Sequence, residues 1–518
     1  MKRREFLKKA GLTMAGAPIV LNNMKLQAIG NSLLLNQAGP NNDRILVVIF
    51  LNGGNDGLNT LVPIDQYDQL ANVRGNILIP ENKLLAGNAT NSFHPSALGL
   101  KDLFDNGTLG VVQSVGYPNH NRSHFRSTDI YNSASAADVY VDTGWLGRWM
   151  DLTYPNFPTG YPNTETPDPI AVTMRSQVAE VCQGQSVNYS YSVEDPFNNS
   201  TLPIGAQSPA PDSPYGDELT FLRQTINQSN QYSTIIKSLA GQGTVTVNYP
   251  DTRLGKQLRN IALLISGGST TKVYYATMGG FDNHSEQVMA SDTTLGDHAD
   301  LLKELSDAIN SFQTDMKAQG LSKKVMGMTY TEFGRRIRSN GSYGTDHGTA
   351  SPSFLFGECV VPGILGANPT ISTSVTQDEG VPMQYDFRSI YGTILKDWFE
   401  VPQDAIDSLL FENFQSLPII SPCDAVGNQE IYGTGLKASI NPNPFKDNPE
   451  ITFTVVTSSR AHIQIFDTMG SVVLEVADDK YEPGEHRLPI NTEKLAVGIY
   501  YCRITMGSGQ KTIRLVKQ

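Results

Sequence analysis

The chain has 518 residues, of which 39% are hydrophobic and 17% are charged, a composition typical of globular domains rather than of disordered or fibrous proteins. This length predicts two or three domains. The net charge of −12 excludes a global field that attracts nucleic acid or anionic membrane, so any bound anion needs a local cluster of cations.

The cysteines and the apolar runs exclude further classes. The four cysteines form no C-x-x-C pair, which argues against a zinc ribbon or a thioredoxin-like site, although an oxidising compartment would allow one or two disulfides. No apolar run reaches the roughly 18 residues that span a bilayer. The sequence therefore predicts no transmembrane segment.

Residues 1–30 carry the features of an export signal. A basic start, KRREFLK from residue 2, precedes a modest apolar stretch at residues 10–21. The start resembles the twin-arginine signal, which exports proteins already folded. The resemblance implies the twin-arginine translocase as a partner, and an amphipathic N-terminal helix is the alternative.

Between residues 44 and 417 the pattern alternates between strand and helix. Amphipathic helices are predicted at residues 254–266 and 294–319. Apolar runs predict four strands, at residues 44–52, 109–115, 272–278 and 324–331. This order predicts an α/β domain with a doubly wound, mostly parallel sheet. Residues 154–216, rich in Pro, Asn, Ser and Tyr, are predicted to be an irregular surface insertion.

Conspicuous polar turns follow these strands, at the edge where ligands bind in such sheets. Four of the eight histidines lie in the turns and in the loop that comes after the last of them. The segments read NGGNDGLNT from residue 52, NHNRSHFR from residue 119, GGFDNH from residue 279, EFGRR from residue 332 and GTDHG from residue 344. This clustering predicts a functional site at the carboxyl edge of the sheet.

The motifs GGNDGLNTLVP, NRSHF, GGFDNH, TEFGRR and GTDHG resemble the family catalogued as domain of unknown function 1501. The resemblance spans nearly the whole of residues 44–417. It implies a fold of the alkaline phosphatase–sulfatase superfamily, in which one or two divalent metal ions lie at the strand ends. In that superfamily a Ser or Thr at a helix N-terminus attacks phosphorus or sulfur.

The resemblance and the residue types together indicate a set of metal ligands. These are Asp56, Asp282, His284, Glu332, Asp346 and His347. Carboxylate and imidazole ligands suit Zn, Mn or Fe. Two alternatives stay open. Asp56 is a plain turn residue, or His298 is a further metal ligand rather than a histidine on the helix surface.

Ser123 is the candidate nucleophile, because a helix predicted to begin beside it would direct backbone N–H groups at an anion. The other candidate catalytic residues are Arg122 and His124. The candidate substrate-binding residues are Asn55, His120, Arg126 and Arg335. As alternatives, Ser123 merely caps the helix, Thr60 is the nucleophile, or Arg335 pairs with Glu332.

Two kinds of chemistry have no support. Neither a Cys-x-Pro-x-Arg nor a Ser-x-Pro-x-Arg element occurs, so the formylglycine route of ordinary sulfatases is excluded. Neither a G-x-G-x-x-G motif nor a Walker loop occurs, so nothing indicates a nucleotide cofactor.

After a loop-like linker at residues 418–436, short alternating strands predict a small all-β, Ig-like sandwich at residues 437–518. The segments NPNPF from residue 441, IFDTMG from residue 465 and GIYY from residue 498 resemble the type A sorting domain of type IX secretion cargo. This implies the type IX secretion machinery as a partner and a host of the Bacteroidetes kind. The alternative is a carbohydrate-binding or adhesive module.

These features predict an exported protein that passes through the periplasm to the outer-membrane surface or the extracellular space. The leading hypothesis is a metal-dependent hydrolase of phosphate or sulfate esters. The alternative is a non-catalytic surface protein that binds a glycan or another anionic polymer. A third hypothesis is a structural surface-layer component.

Overall fold

The computed structural model divides the chain into two compact units, Met1–Val360 with Ile364–Ser421, and Val361–Gly363 with Pro422–Gln518. The described residues are 19–21, 24–26, 42–199, 201–203, 208–421, 423, 438–443, 445–455, 459–467, 472–506 and 509–517. Most of the predicted export signal and most of the predicted linker lie outside these residues. Within the residues predicted to be the signal, strands β1 (Ile19–Leu21) and β2 (Met24–Leu26) pair antiparallel.

Most strands of the first unit form one large sheet. In chain order the strands are β3 (Ile45–Leu51), β4 (Leu61–Pro63), β5 (Leu85–Ala86), β6 (Asn91–Phe93), β7 (Leu109–Gly116), β8 (Ala171–Thr173), β9 (Ser190–Ser192), β10 (Val273–Met278), β11 (Val325–Tyr330), β12 (Ser351–Phe356), β13 (Gly363–Leu365) and β14 (Tyr385–Asp386). Strands β4, β5 and β6 form a separate small sheet. The large sheet has the order β13-β7-β12-β11-β3-β10-β8-β9, with β14 also beside β7.

The large sheet is mostly parallel, as predicted. Strand β3 pairs parallel with β10 and β11, and β8 continues the parallel run from β10 to β9. Strand β12 alone among these paired strands runs antiparallel, between β11 and β7. The carboxyl ends of β3, β7, β10 and β11 therefore point to the same edge.

The helices of the first unit follow the strands. They are α1 (Gly57–Thr60), α2 (Tyr67–Arg74), α3 (Leu98–Asp105), α4 (His124–Ser133), α5 (Trp145–Thr153), α6 (Pro214–Gln242), α7 (Arg253–Ser266), α8 (Asp297–Ala318), α9 (Phe387–Thr393) and α10 (Gln403–Leu409). A π-helix spans Ile394–Trp398. Short 3-10 helices span Ile64–Gln66, Glu81–Lys83 and Glu180–Cys182.

Alternate residues of β3 face opposite layers, because successive side chains of a strand point to opposite faces. Ile45, Val47, Ile49 and Leu51 pack in a core shared with apolar residues of α3, α6, α7 and α8. On the other face, the Phe50 ring stacks on Tyr330 of β11 at 4.8 Å. That layer continues into α4, α5 and α9 through three stacked ring pairs, Tyr330–Tyr131, Tyr131–Phe387 and Trp145–Tyr391. Helices thus cover both faces, as in a doubly wound sheet.

The segment predicted to be an irregular insertion contributes to the sheet. Strands β8 and β9 lie within residues 154–216 and extend the sheet beyond β10. Each strand has only three residues, too few for a visible alternation of apolar and polar positions. The prediction for this segment is therefore wrong in part.

The second unit is all-β, as predicted. Its strands are β15 (Ala438–Asn441), β16 (Glu450–Val455), β17 (Ser459–Phe466), β18 (Val472–Tyr481), β19 (Gly484–Pro489), β20 (Gly498–Met506) and β21 (Gly509–Lys517). They form two sheets, ordered β15-β16-β19 and β18-β17-β20-β21, with antiparallel pairing throughout. Alternate residues, among them Ile451, Phe453, Ile463 and Ile465, share one core.

The cysteines divide into two kinds. Cys359 and Cys423 are each disulfide-bonded, as an oxidising compartment allows. Cys182 and Cys502 are buried free thiols, and burial raises the pKa of each to about 12. A thiol with so high a pKa is unreactive as a nucleophile.

Candidate metal centre

Three imidazole rings converge on the carboxylate of Asp282, in the loop that follows β10. The Nε2 atoms of His284 and His347 each lie 3.1 Å from Asp282 Oδ1. His124 Nε2 lies 3.4 Å from Asp282 Oδ2. The Nε2 atoms of His284 and His347 are 2.9 Å apart. His124, Asp282 and His347 thus lie within ligand distance of one another, and His284 borders this group through His347 and Asp282.

The other ring nitrogen of each histidine faces an acceptor. His124 Nδ1 lies 2.7 Å from Glu332 Oε1, and His284 Nδ1 lies 3.0 Å from Asp346 Oδ1. His347 Nδ1 lies 2.9 Å from the carbonyl oxygen of Arg122. A carboxylate or carbonyl oxygen cannot donate, so a neutral ring with its proton on Nδ1 satisfies each of these contacts. In that tautomer the Nε2 lone pairs face Asp282.

This arrangement fits a divalent cation. Lone pairs directed at a carboxylate and at one another repel unless a cation lies between them, and His124 Nε2 is buried without a hydrogen-bond partner. Metal-binding histidines usually donate their second nitrogen to a carboxylate or carbonyl. The structure independently groups His124, Asp282 and His347 as residues able to hold one ion. A set of three nitrogens and one oxygen suits Zn, Mn or Fe.

Among the described residues, one further group has metal-ligand spacing, His462 with Glu475 and Asp478 on the second unit. It is partly exposed, and the Asp478 carboxylate is held by Arg460 through two contacts of 2.7 and 2.8 Å. Without a buried unpaired ligand, this group resembles an ordinary charged surface.

Ionisation in the centre reflects these contacts. Burial raises the pKa of Asp282, but the hydrogen bond and the charge of Arg335 outweigh it and lower that pKa to about 2. The bond to Glu332 raises the pKa of His124, whereas burial lowers the pKa of His347. Asp282 is therefore a carboxylate at neutral pH, as a metal ligand must be.

Arg335 positions Asp282. Its side chain is 1% exposed and pairs with Asp282 Oδ1 at 2.8 Å. The remaining guanidinium N–H groups donate to four backbone carbonyls, those of Gly53, Gly54, Phe281 and Thr345. Because its donors are used in this way, Arg335 is not placed to clamp a substrate, which is the role that the sequence suggests for it. Its carboxylate partner is Asp282 rather than Glu332.

Glu332 lies behind His124 and is fully buried. Its Oε1 also accepts from the Gly53 backbone N–H at 2.9 Å, and its Oε2 accepts from the Thr331 hydroxyl at 3.2 Å. The structure thus places Glu332 as an orienting partner of a histidine, although the sequence suggests it as a ligand. Asp346 has the same relation to His284.

Ser123 precedes the first residue of α4, and its neighbours belong to the centre. The hydroxyl makes no capping hydrogen bond, so the alternative in which Ser123 only caps the helix finds no support. Its side chain is exposed. Because Arg122 contacts His347 through its carbonyl and His124 faces Asp282, the Ser123 backbone runs along the centre.

Several predicted residues lie outside the centre. Asp56 is buried against Arg74 at 2.8 Å and Gln287 at 2.6 Å. Asn55 Oδ1 accepts from Thr60 at 3.0 Å and lies 3.0 Å from His298 Nε2, so His298 is a core histidine rather than a surface one.

Two further predicted residues have local partners. His120 Nε2 accepts from the Tyr117 N–H at 3.4 Å, and burial lowers the pKa of His120 to about 4. The Arg126 guanidinium lies 4.0 Å from the Tyr140 ring and donates to three carbonyls, those of Ala136, Ala137 and Val139. The Arg126 guanidinium is thus held by local partners, and one ring nitrogen of His120 is occupied.

Sequence reasoning missed Arg336 and Asp378. Arg336 contacts Asp346 Oδ2 at 3.4 Å and Asp378 Oδ1 at 2.8 Å. Arg122 donates to the Asp378 carbonyl at 2.7 Å. Arg336 lies in the EFGRR turn directly after Arg335, and this motif is the sequence signal that marks it. Asp378 lies in an irregular segment with no motif around it, so no sequence signal marked it.

Comparison with family models identifies two parts of the chain. Residues 259–409 match "Protein of unknown function (DUF1501)", and residues 439–518 match "Secretion system C-terminal sorting domain". The first match includes GGFDNH, TEFGRR and GTDHG, whereas GGNDGLNTLVP and NRSHF precede it. No curated protein matches the sequence.

Solved structures give distant matches. One, from Bacteroides thetaiotaomicron, comes from work on the metabolism of multiple glycosaminoglycans, with 9% identity, 84% of this chain and 90% of that chain covered, and a TM-score of 0.34. A protein in the alkaline phosphatase superfamily from Vibrio parahaemolyticus has 9% identity, 92% coverage of both chains and a TM-score of 0.30. A phosphonate monoester hydrolase from Silicibacter pomeroyi has 9% identity, coverages of 91% and 89%, and a TM-score of 0.31.

The sorting domain indicates export to the cell surface or the extracellular space and implies the type IX secretion machinery as a partner. Within the described residues, no helix is long and apolar enough to cross a membrane. Residues 259–409 are thus similar to the DUF1501 family, and residues 439–518 are similar to secretion-system C-terminal sorting domains.

Proposed function

We propose that the first unit is an exported, metal-dependent hydrolase of phosphate or sulfate esters. The observation that carries the proposal is the convergence of three imidazole Nε2 atoms on Asp282 while every Nδ1 faces an acceptor. His124, His284, His347 and Asp282 would hold one Zn, Mn or Fe ion. The predicted twin-arginine signal, of a kind that exports folded proteins, suits a protein that folds around its metal before export.

When bound, the ion would polarise an ester oxygen and lower the pKa of a nearby hydroxyl. The chain supplies the remaining functions. The Ser123 hydroxyl is the proposed nucleophile, and backbone N–H groups at the start of α4 would stabilise the developing negative charge. The guanidinium of Arg122, the residue before Ser123, donates to the Asp378 carbonyl instead of facing the centre. Arg335 fixes Asp282, and Glu332 and Asp346 fix two imidazole rings.

Element analysis of the full-length protein, followed by assays of aryl phosphate, phosphodiester and aryl sulfate, tests this proposal. We expect about one metal ion per chain. His347→Ala should remove the ion and the activity. Ser123→Ala should keep the ion and lower kcat by at least about 100-fold, because no other group would replace the nucleophile.

Ser213→Ala is the matched control, since Ser213 also precedes a helix, α6, where it caps Gly216 N–H. This control should keep full activity. A protein that binds no Zn, Mn or Fe would overturn the proposal. Metal binding without hydrolysis of any of the three esters would instead favour the second candidate.

The second candidate is non-catalytic binding of a glycan at the same face. The Phe125 side chain, directly after His124, is 91% exposed, and exposed aromatic rings provide flat apolar surfaces for ligands. Phe125→Ala would then weaken glycan binding while the metal content stays unchanged.

A further inference from the structure

Two arginines meet at one residue beside the metal centre. Arg122 Nη2 donates to the Asp378 carbonyl at 2.7 Å, and Arg336 Nη1 lies 2.8 Å from the Asp378 carboxylate. The same residues border the centre. The Arg122 carbonyl accepts from His347 Nδ1, and Arg336 Nε donates to the His347 carbonyl at 3.4 Å. The arginine pair therefore lies immediately next to a proposed metal ligand.

Among the described residues, carboxylates pair with only one of these two arginines, Arg336. Arg122 has no carboxylate within ion-pair distance among the described residues, and its partner at Asp378 is a neutral carbonyl. Arg336 shares Asp346 with His284 at a longer contact of 3.4 Å. Asp378 thus provides the main negative charge for two adjacent guanidinium groups.

Asp378 is poorly held in this position. Its side chain is 78% exposed, and an exposed ion pair stabilises a protein little. A sulfate or phosphate group offers more oxygens and more charge to two guanidinium groups than one carboxylate does, and it can accept from both at once. Such a group would displace the Asp378 side chain.

We propose that Arg122 and Arg336 form a second anion subsite, which Asp378 occupies until a substrate brings a non-reacting sulfate or phosphate group. The substrate class is then a polyanion, an ester chain with anionic groups on neighbouring units. This inference rests on the proposed function only where it calls the bound molecule a substrate. The anion subsite itself rests on the two arginines. The chain's net charge of −12 leaves polyanion binding to a local cluster of this kind.

Calorimetric titration of the full-length protein with dextran sulfate and, separately, with polyphosphate tests the subsite, with uncharged dextran as the ligand control. Asp378→Asn removes the competing charge and should tighten binding about fivefold. Arg336→Gln should weaken binding about tenfold or more, and so should Arg122→Gln. Asp404→Asn, which removes an exposed carboxylate on α10, should have no effect. The two polyanions distinguish a sulfate preference from a phosphate preference.

The test is decisive because Asp378→Asn should tighten polyanion binding, whereas the two arginine substitutions should weaken it. An Asp378→Asn protein that binds both polyanions no more tightly than the wild type would overturn the subsite, and so would an Arg336→Gln protein of unchanged affinity. A wild type that binds neither polyanion would overturn it as well. His347→Ala separates the two proposals. If the double variant His347→Ala with Asp378→Asn binds polyanion more tightly than His347→Ala alone, the subsite holds even where no ester is hydrolysed.

Discussion

Among single residues, Glu332 acts on the centre through its contact with His124. It is fully buried and lies 2.7 Å from His124 Nδ1. Glu332→Gln preserves the shape but replaces the carboxylate with an amide that can turn a donor towards His124. We expect metal affinity to fall about 10–100-fold, as for other residues that orient a ligand. Competition with a chelator measures it, and a change of less than twofold would contradict this role.

Glu412→Gln is the control for that measurement. Glu412 is exposed and lies outside every helix and strand of the first unit. Its substitution makes the same chemical change without a contact to an imidazole, so the metal affinity should stay the same. Equal losses in the two variants would point to a general effect of charge.

The sequence predicts which residues lie near the sheet edge better than it predicts where their side chains point. Asp282, His284, His347 and His124 come together, and their role as ligands stays a prediction. Asp56 also follows a strand, but its carboxylate faces Arg74 in the interior. A turn motif fixes the position of a backbone segment. The direction of each side chain depends on partners far away in sequence, such as Arg74.

At the scale of elements, the centre depends on how closely the loops after β3 and β10 approach. Gly53 has φ +126°, and a Cβ there would lie 2.3 Å from the Asp282 backbone nitrogen. Gly53→Ala must therefore push the two loops apart and move Asp282. We expect this variant to lose its metal, which element analysis measures. Its circular dichroism spectrum should match that of the wild type, because the fold is kept.

Gly279→Ala is the matched control in the same region. A Cβ at Gly279 meets nothing within 4 Å, so the metal should be retained. If Gly53→Ala kept a full complement of metal, the close approach of the two loops would not matter for the centre.

Long apolar strands were predictable and short or mixed ones were not. The runs that form β3, β7 and β11 are buried along their whole length, and β10 is buried at five of its six positions, so most positions favour an apolar residue. Strand β12 contains two serines and a proline, and the serine hydroxyls are satisfied by distant carbonyls. Its sequence resembles a loop, and its antiparallel direction depends on neighbours distant in the chain.

For the whole molecule, two buried histidines predict how stability depends on pH. Burial lowers the pKa of His94 to about 3 and that of His298 to about 4. Both are neutral in the folded state, whereas the unfolded chain takes up their protons below about pH 6.5. The contribution of these two neutral histidines to the free energy of unfolding is therefore complete above that pH and is lost as the pH falls towards 4. Each can contribute a slope of up to roughly 1.4 kcal/mol per pH unit.

Tryptophan fluorescence during urea unfolding measures this slope, because all three tryptophans lie in the first unit and are buried. A chelator should be present at each pH, so that metal release does not contribute. His298→Asn should flatten the dependence between pH 6.5 and 4, while His462→Asn on the second unit should not. If the free energy of unfolding of His298→Asn had the same slope against pH as that of the wild type, His298 would be excluded as a source of the pH dependence.

The buried Arg335 side chain has a consequence for motion. One guanidinium group bonds to backbone or side chain in three loops, those that contain residues 53–54, 281–282 and 345. No loop can open alone without leaving a buried cation short of an acceptor, which is costly. The three loops should therefore open together or remain closed, with one shared opening free energy. Metal exchange at the centre would then be all-or-none, with its rate set by this joint opening.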